Sequence, residues 1–334
     1  MTERLNMTES EYRGVQLPSY SLLKRIDDYG PRAIKYAGKY DSEAIGFGSL
    51  LDCKLLCPEE FNNKFYFDAI EKPTGQVLEL ADWIIKNTEI CSDDWEDLDI
   101  HLILDAADNL NLFGSIKDID KRIAKFNNDL FWNYIDIYRE SAGKTIFTPD
   151  TLTDVVEAEM ILKTDYRTSW IFNPMPDVLE VFKQLMFTSD IHGLPVKGML
   201  DLVVINHLTR TITPYDLKAT DMHQIAFKYH FKKMKYYLQG SLYREVLKDY
   251  YSDLIVSGYT LEDFKFIVYS RSDKFPFIWN MGSEWHNNGL NGFINNYGDH
   301  EKGIYELLDE YYYYMDNPEV NIQKCFIENE ILEL

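Results

Sequence analysis

Three short runs decide how this chain reads: Gly198-Met199-Leu200-Asp201, then Thr213-Pro214-Tyr215-Asp216-Leu217-Lys218, then Gln239-Gly240-Ser241-Leu242-Tyr243. The first two lie in β-rich text, VKGMLDLVVIN and TITPYDLKA, separated by Asn206-His207 and Thr209-Arg210. Side chains alternate along a strand, so Asp216 and Lys218 project to one side while Leu217 between them points into a core. Asp201 shares a strand face with Met199 and Val203. The third run falls on a helix expected from about 221 to 250, with Gly240 as its weak point. Two carboxylates and a lysine on adjacent strands suit metal-dependent phosphodiester cleavage. Mg²⁺ is bound by one or two carboxylates and keeps several waters. The Leu217 carbonyl is free to add a ligand, and Lys218 can orient or deprotonate the attacking water.

A D-x-K triplet alone reads as a surface salt bridge, and two others occur, Asp52-Cys53-Lys54 and Asp263-Phe264-Lys265. Only the one at 216–218 follows a strand-borne Gly-x-x-Asp and precedes a Gln-x-x-x-Tyr helix. The conjunction resembles the PD-(D/E)XK nuclease superfamily, in the branch containing exodeoxyribonuclease VIII, lambda exonuclease and the RecB nuclease domain. Asp201 matches the first strand aspartate, Asp216-Leu217-Lys218 the (D/E)-x-K strand, and Gln239 with Tyr243 the helix that lines DNA. Upstream, Gly48-Ser49-Leu50-Leu51-Asp52 and Cys57-Pro58-Glu59-Glu60-Phe61 resemble that branch's Gly-x-x-x-His helix and Pro-Glu-x-Phe turn. Asp52 then stands where the family usually has a metal-ligating histidine, and an aspartate is chemically acceptable to Mg²⁺.

The resemblance implies an α/β fold: a restriction-endonuclease-like core, with a mixed central sheet flanked by helices, and a mainly helical N-terminal elaboration. Residues 1–175 form that elaboration, including a motif helix at 43–57 and an acidic insertion at 88–147. The core spans 176–318 and a tail 319–334. It further implies a Mg²⁺-dependent deoxyribonuclease, with Mn²⁺ able to substitute, acting as an exonuclease on double-stranded DNA ends in phage-type recombination. The alternatives are a structure-specific endonuclease and a non-catalytic DNA-binding protein of nuclease fold. Asp201, Asp216 and Lys218 would be catalytic. Asp201, Asp216, Leu217 and Asp52 would hold the metal, while Gln239, Tyr243, Lys232, Lys233 and Lys235 would contact DNA. Expected partners are DNA, a single-strand annealing protein and further copies of the chain, since relatives often form rings.

Net charge is −21, which argues against a general nucleic-acid coat protein. Between 183 and 248, however, ten basic residues face five acidic ones. A locally basic surface in an acidic protein fits a focused anionic ligand, and the plainer reading is a solvated lysine face. No apolar run is long enough to span a membrane, and the polar N-terminus predicts a cytoplasmic protein. The cysteines, Cys53, Cys57, Cys91 and Cys325, read as reduced thiols, and their placement predicts no iron–sulfur cluster.

Helical spacing marks 18–28, 41–57, 76–86, 97–110 and 122–141, and Thr148-Pro149-Asp150 reads as a helix start with Thr148 as cap. Strands are expected at 178–190, 196–206, 211–219, 263–270 and 275–282, with a helix at 303–315. Gln184, Glu157 and Glu159 read as ordinary surface or core polar groups. His192, His207, His223 and His230 show no metal spacing, whereas His223 and Lys228 could reach a phosphate. Tyr311 to Tyr314 read as helix packing.

Overall fold

The computed structural model describes residues 2–35, 43–87 and 100–319. Its strands in chain order are β1 (Glu3–Arg4), β2 (Phe65–Phe67), β3 (Thr145–Phe147), β4 (Leu179–Ile191), β5 (Leu194–Asn206), β6 (Thr211–Thr220), β7 (Thr260–Leu261), β8 (Lys265–Ser270), β9 (Phe275–Asn280), β10 (Phe293–Ile294) and β11 (His300–Glu301). The chain divides into two compact units, Met1–Cys57 with Glu157–Leu334, and Pro58–Val156. The division therefore does not fall at 175/176: the helix Glu43–Leu56 belongs with the sheet. Residues 58–156 bury their own core, including Leu80, Ile84, Ile103, Phe126, Phe131 and Ile135. The described part of the acidic segment, 100–147, thus folds with 58–87 as a unit; residues 88–99 lie outside the described residues.

The larger unit is a mixed sheet in the order β1-β4-β5-β6-β8-β9, with β7 also paired to β6, and helices flank it. The β4–β5 hairpin closes on His192-Gly193, both left-handed (φ 54° and 82°), as a two-residue hairpin turn requires. β6 changes partners along its length. Its first half, to Tyr215, pairs antiparallel with β5, and from Tyr215 to Thr220 it pairs parallel with β8. Pro214 falls in the gap between the β7 and β8 pairings, where a missing donor is tolerated. One side of the sheet is packed by the helices Tyr20–Tyr29, Tyr236–Tyr250 and Ile304–Asp316, around Leu23, Val203, Leu242, Phe266 and Leu308.

The strands and most helices lie close to where sequence spacing put them, and Thr148 caps Pro149–Thr164 through Thr151 N–H at 3.3 Å. Two differences stand out. The long helix expected over 221–250 is broken into Phe227–Lys233 and Tyr236–Tyr250, because Lys235 adopts a left-handed backbone (φ 54°, ψ 38°) that a right-handed helix cannot pass through. Gly240, the expected weak point, is instead a close-packed helical residue: a Cβ there would come 2.6 Å from Met281 Sδ. The second difference is the helix Gly282–Asn291, whose Asn- and Gly-rich text (GSEWHNNGLN) has little intrinsic helical preference. Packing against Tyr236–Tyr250 explains it, since Gly289 lets the two backbones approach.

Candidate active site

β5 and β6 run paired from Asn206–Thr211 to Leu202–Tyr215 and then part. Continuing that register puts Asp201 opposite Asp216, so both carboxylates leave the sheet at the point of divergence, on the same face. Across β5 on its other side, the β4 ladder skips one position: Lys183 pairs Leu202 and Leu185 pairs Leu200, leaving Gln184 opposite Asp201 with φ 46°. A left-handed non-glycine residue beside the carboxylates is local strain of the kind that collects at functional sites.

Asp216 is 2% exposed. Its Oδ1 accepts a hydrogen bond from Gln239 Nε2 at 2.7 Å, and its Oδ2 lies 2.6 Å from Lys218 Nζ. Asp201 Oδ2 accepts from Leu217 N–H at 2.8 Å. In an extended strand the N–H and C=O of one residue point to the same edge, so the Leu217 carbonyl also faces the Asp201 side rather than the β8 ladder. The Leu217 side chain is buried, as the alternation predicts.

Asp52 arrives from the helix Glu43–Leu56, which packs on β6. Burial pushes its carboxyl up to about 7; the Lys218 ammonium works against that rise and the Asp216 charge adds to it. Asp201 is raised well above the usual carboxylate range by burial and by the charges of Asp216 and Asp52. Lys218 is held well above its ordinary value: burial opposes its charge, but Asp216, Tyr236 and Asp201 outweigh the penalty. Three carboxylates therefore crowd around one ammonium in a poorly solvated site. Such a site takes up protons, or a cation, to balance its charge.

That donor chemistry fits a hard divalent cation. Among the described residues no group of three or more His, Cys, Asp and Glu is gathered tightly enough to hold a metal by side chains alone. A Mg²⁺-type site needs only one or two carboxylates, completed by waters and backbone oxygens. Asp201, Asp216 and the Leu217 carbonyl are the oxygens that could supply these, with Asp52 near them.

Gln239 and Tyr243 share the inward face of their helix. That is why Gln239 reaches Asp216, and also why Tyr243 is not at a DNA-facing surface. Tyr243 is 6% exposed, and its ring packs edge-on against Phe187 at 5.9 Å and at a tilt against Phe264 at 6.3 Å. Lys235 differs from expectation too. The helix break turns it onto Asp27, Asp28 and Glu301, so its charge is neutralised within the fold rather than offered to phosphate. Lys232 and Lys233 remain exposed.

Tyr236 belongs to the site without being part of any of the three motifs: its ring lies 4.8 Å from Lys218 Nζ. The available signal was its position three residues before Gln239, which places both on one helix face. The other polar candidates are engaged elsewhere. Glu157 pairs with Lys274 and Glu159 with Lys163, as surface pairs. His192 stacks on Tyr305, His207 bonds Tyr259, His223 bonds Asp273, and His230 packs on Tyr236. Lys228 lies over Tyr229. Tyr311 and Tyr314 are buried helix-packing residues, while Cys91 and Cys325 lie outside the described residues.

No protein-family model matches the chain, and no characterised protein matches it in sequence.

Proposed function

We propose that this protein is a Mg²⁺-dependent deoxyribonuclease with a restriction-endonuclease-like core of the PD-(D/E)XK type, degrading double-stranded DNA from its ends. The observation that carries this reading is the parting of β5 and β6 at Asp201 and Asp216, with Lys218 on the same face and Asp52 joining from a separate helix. A cation held by Asp201, Asp216 and the Leu217 carbonyl, with Asp52 beside it, would supply an acidified water and counter-charge for phosphoryl oxygens. Lys218 orients the attacking water and offsets charge developing on the phosphate. Gln239 fixes the Asp216 carboxylate, and the Tyr236 face holds the lysine in place. An end-resecting enzyme of this kind leaves a single strand for an annealing protein, the partner the resemblance implies.

One observation favours a second reading, a DNA-binding protein without turnover: both Asp216 oxygens are already engaged, by Gln239 and by Lys218. The two readings part when wild type, Asp216→Ala and Lys218→Ala are incubated with linear and covalently closed duplex in Mg²⁺ or Mn²⁺. Degradation of the linear form alone, lowered about 10²-fold or more in each variant, is the expected result. Equal attack on the closed circle identifies an endonuclease. DNA binding without cation-dependent cleavage identifies the second reading, and neither binding nor cleavage sinks both.

A further inference from the structure

A cavity of about 660 Å³ opens beside the helix break, its wall including Lys232, Lys233, Trp285, Asn288, Asn296 and Tyr297. That volume lies within the range of small-molecule sites. Three kinds of chemistry meet there. Lys232 and Lys233 have no carboxylate partner among the described residues, in a chain of net charge −21. The wall also holds Lys235, Glu284 and Glu301, the last accepting a hydrogen bond from Asn295 at 3.0 Å and lying 3.9 Å from Lys235, so three lysines there face two carboxylates. Aromatic surface comes from Trp285, with the Lys232 ammonium 5.2 Å from its ring, and from Tyr297, which is 91% exposed. The side-chain amides of Asn288 and Asn296 make no hydrogen bond among the described residues, so both a donor and an acceptor stay available.

The cavity and the carboxylate site are touched by neighbouring residues of one helix. Tyr236 and Tyr237 are consecutive: the first lies against Lys218, while the second lines the cavity. Next to Tyr236, His230 is held below its ordinary value by burial and by the charges of both Lys233 and Lys218, so positive potential from each side meets there.

We propose that this cavity is a nucleotide subsite that takes one nucleoside monophosphate unit, its phosphate on Lys232 and Lys233 and its base against Tyr297 and the asparagine amides. The unit is either a free nucleotide or part of a DNA strand whose neighbouring phosphate lies at Asp201 and Asp216; the second source rests on the nuclease reading. Cations for phosphate, a ring face for stacking and amides for base edges are the combination used by proteins that bind single strands.

The test is made in chelator, so that binding is read without cleavage. Wild type, the Lys232→Ala/Lys233→Ala double variant and Tyr297→Ala are titrated with deoxyadenosine monophosphate, inorganic phosphate and a short single-stranded oligodeoxynucleotide. Calorimetry reads binding, and circular dichroism verifies folding. The lysine variant is expected to bind nucleotide about tenfold or more weakly. For the oligonucleotide, the slope of log K against log salt should shrink by about 1.4, from two contacts at about 0.7 each. Tyr297→Ala should weaken oligonucleotide binding by about 5- to 150-fold. Binding of the mononucleotide but not the oligonucleotide assigns the site to a free nucleotide. Equal affinity for inorganic phosphate and nucleotide, or variants indistinguishable from wild type, overturns the proposal. A wild type that binds in chelator but never cleaves with Mg²⁺ leaves the subsite standing and removes only the nuclease reading.

Discussion

Lys218→Met tests the charge balance of the site without reference to catalysis. In the wild type the ammonium sits 2.6 Å from an Asp216 carboxylate whose side chain is 3% exposed; the lysine side chain itself is 23% exposed. Removing one member of a buried pair costs about 3–5 kcal/mol, and the partial exposure of the lysine puts the expected loss near the lower end, about 3 kcal/mol. That is roughly a hundredfold in the folding equilibrium. The loss must depend on pH, with a definite sign. Asp52 is raised to about 7 and Asp201 also lies well above its unfolded value, so the folded state binds protons more tightly than the unfolded chain. Their contribution is therefore present at low pH and is lost as pH rises through the folded values. Without Lys218 both carboxyls shift further up, so the variant's deficit is large at pH 8 and shrinks toward pH 5. Lys218 has the same sign at higher pH: its folded value is raised, so its contribution is fully present below the lysine's ordinary range and is lost only as pH rises through the folded value. Urea denaturation in chelator at both pH values, on wild type, Lys218→Met, Asp216→Asn and the double variant, measures the effect. The double variant should recover at least about 1.5 kcal/mol relative to the sum of the singles. Added Ca²⁺ should restore part of the stability of Lys218→Met. A Lys218→Met protein within about 0.5 kcal/mol of wild type at pH 8, or a coupling below about 0.5 kcal/mol, refutes the argument.

Gly289→Ala should destabilise the larger unit by about 1–3 kcal/mol, because a Cβ would lie 2.2 Å from Ser241 Oγ and 2.5 Å from the Tyr237 carbonyl oxygen. The same change at Gly48, inside a helix with nothing within 4 Å, should be neutral or stabilise by up to about 1 kcal/mol. Chemical denaturation of both variants checks the contrast, and equal effects would discard the packing explanation. His230 is held below its ordinary value by burial, Lys233 and Lys218. The unfolded chain therefore takes up its proton first, and stability falls as pH drops through about 6.5, levelling below the folded value. Replacement by Gln should flatten that region of the stability profile. An NMR titration placing the imidazole at or above 6.5 would show the reasoning to be mistaken.

Periodicity carries local information, and here it was enough for the β-rich segments of the sheet, the alternation that puts Asp216 and Lys218 on one face with Leu217 buried between them, and the cap at Thr148. It could also single out one D-x-K triplet of three, because strand phase and a downstream helix are both written in spacing. The pattern could not show which way a helix face turns once packed. Gln239 and Tyr243 were legible as a pair, but only the sheet beneath them makes that face the inner one, giving Gln239 to Asp216 and Tyr243 to the core. Nor could spacing show that Lys235 takes a left-handed backbone and meets Asp27, distant in sequence. The helix at Gly282–Asn291 has weak propensity of its own and exists through a close crossing that Gly289 permits. The clearest case is the carboxylate cluster. Asp52, Asp201 and Asp216 are separate letters in the chain, and each alone would be an ordinary surface acid. Their gathering around Lys218 is a property of the tertiary structure alone, because the energy of a charge depends on its distance from other charges and from water.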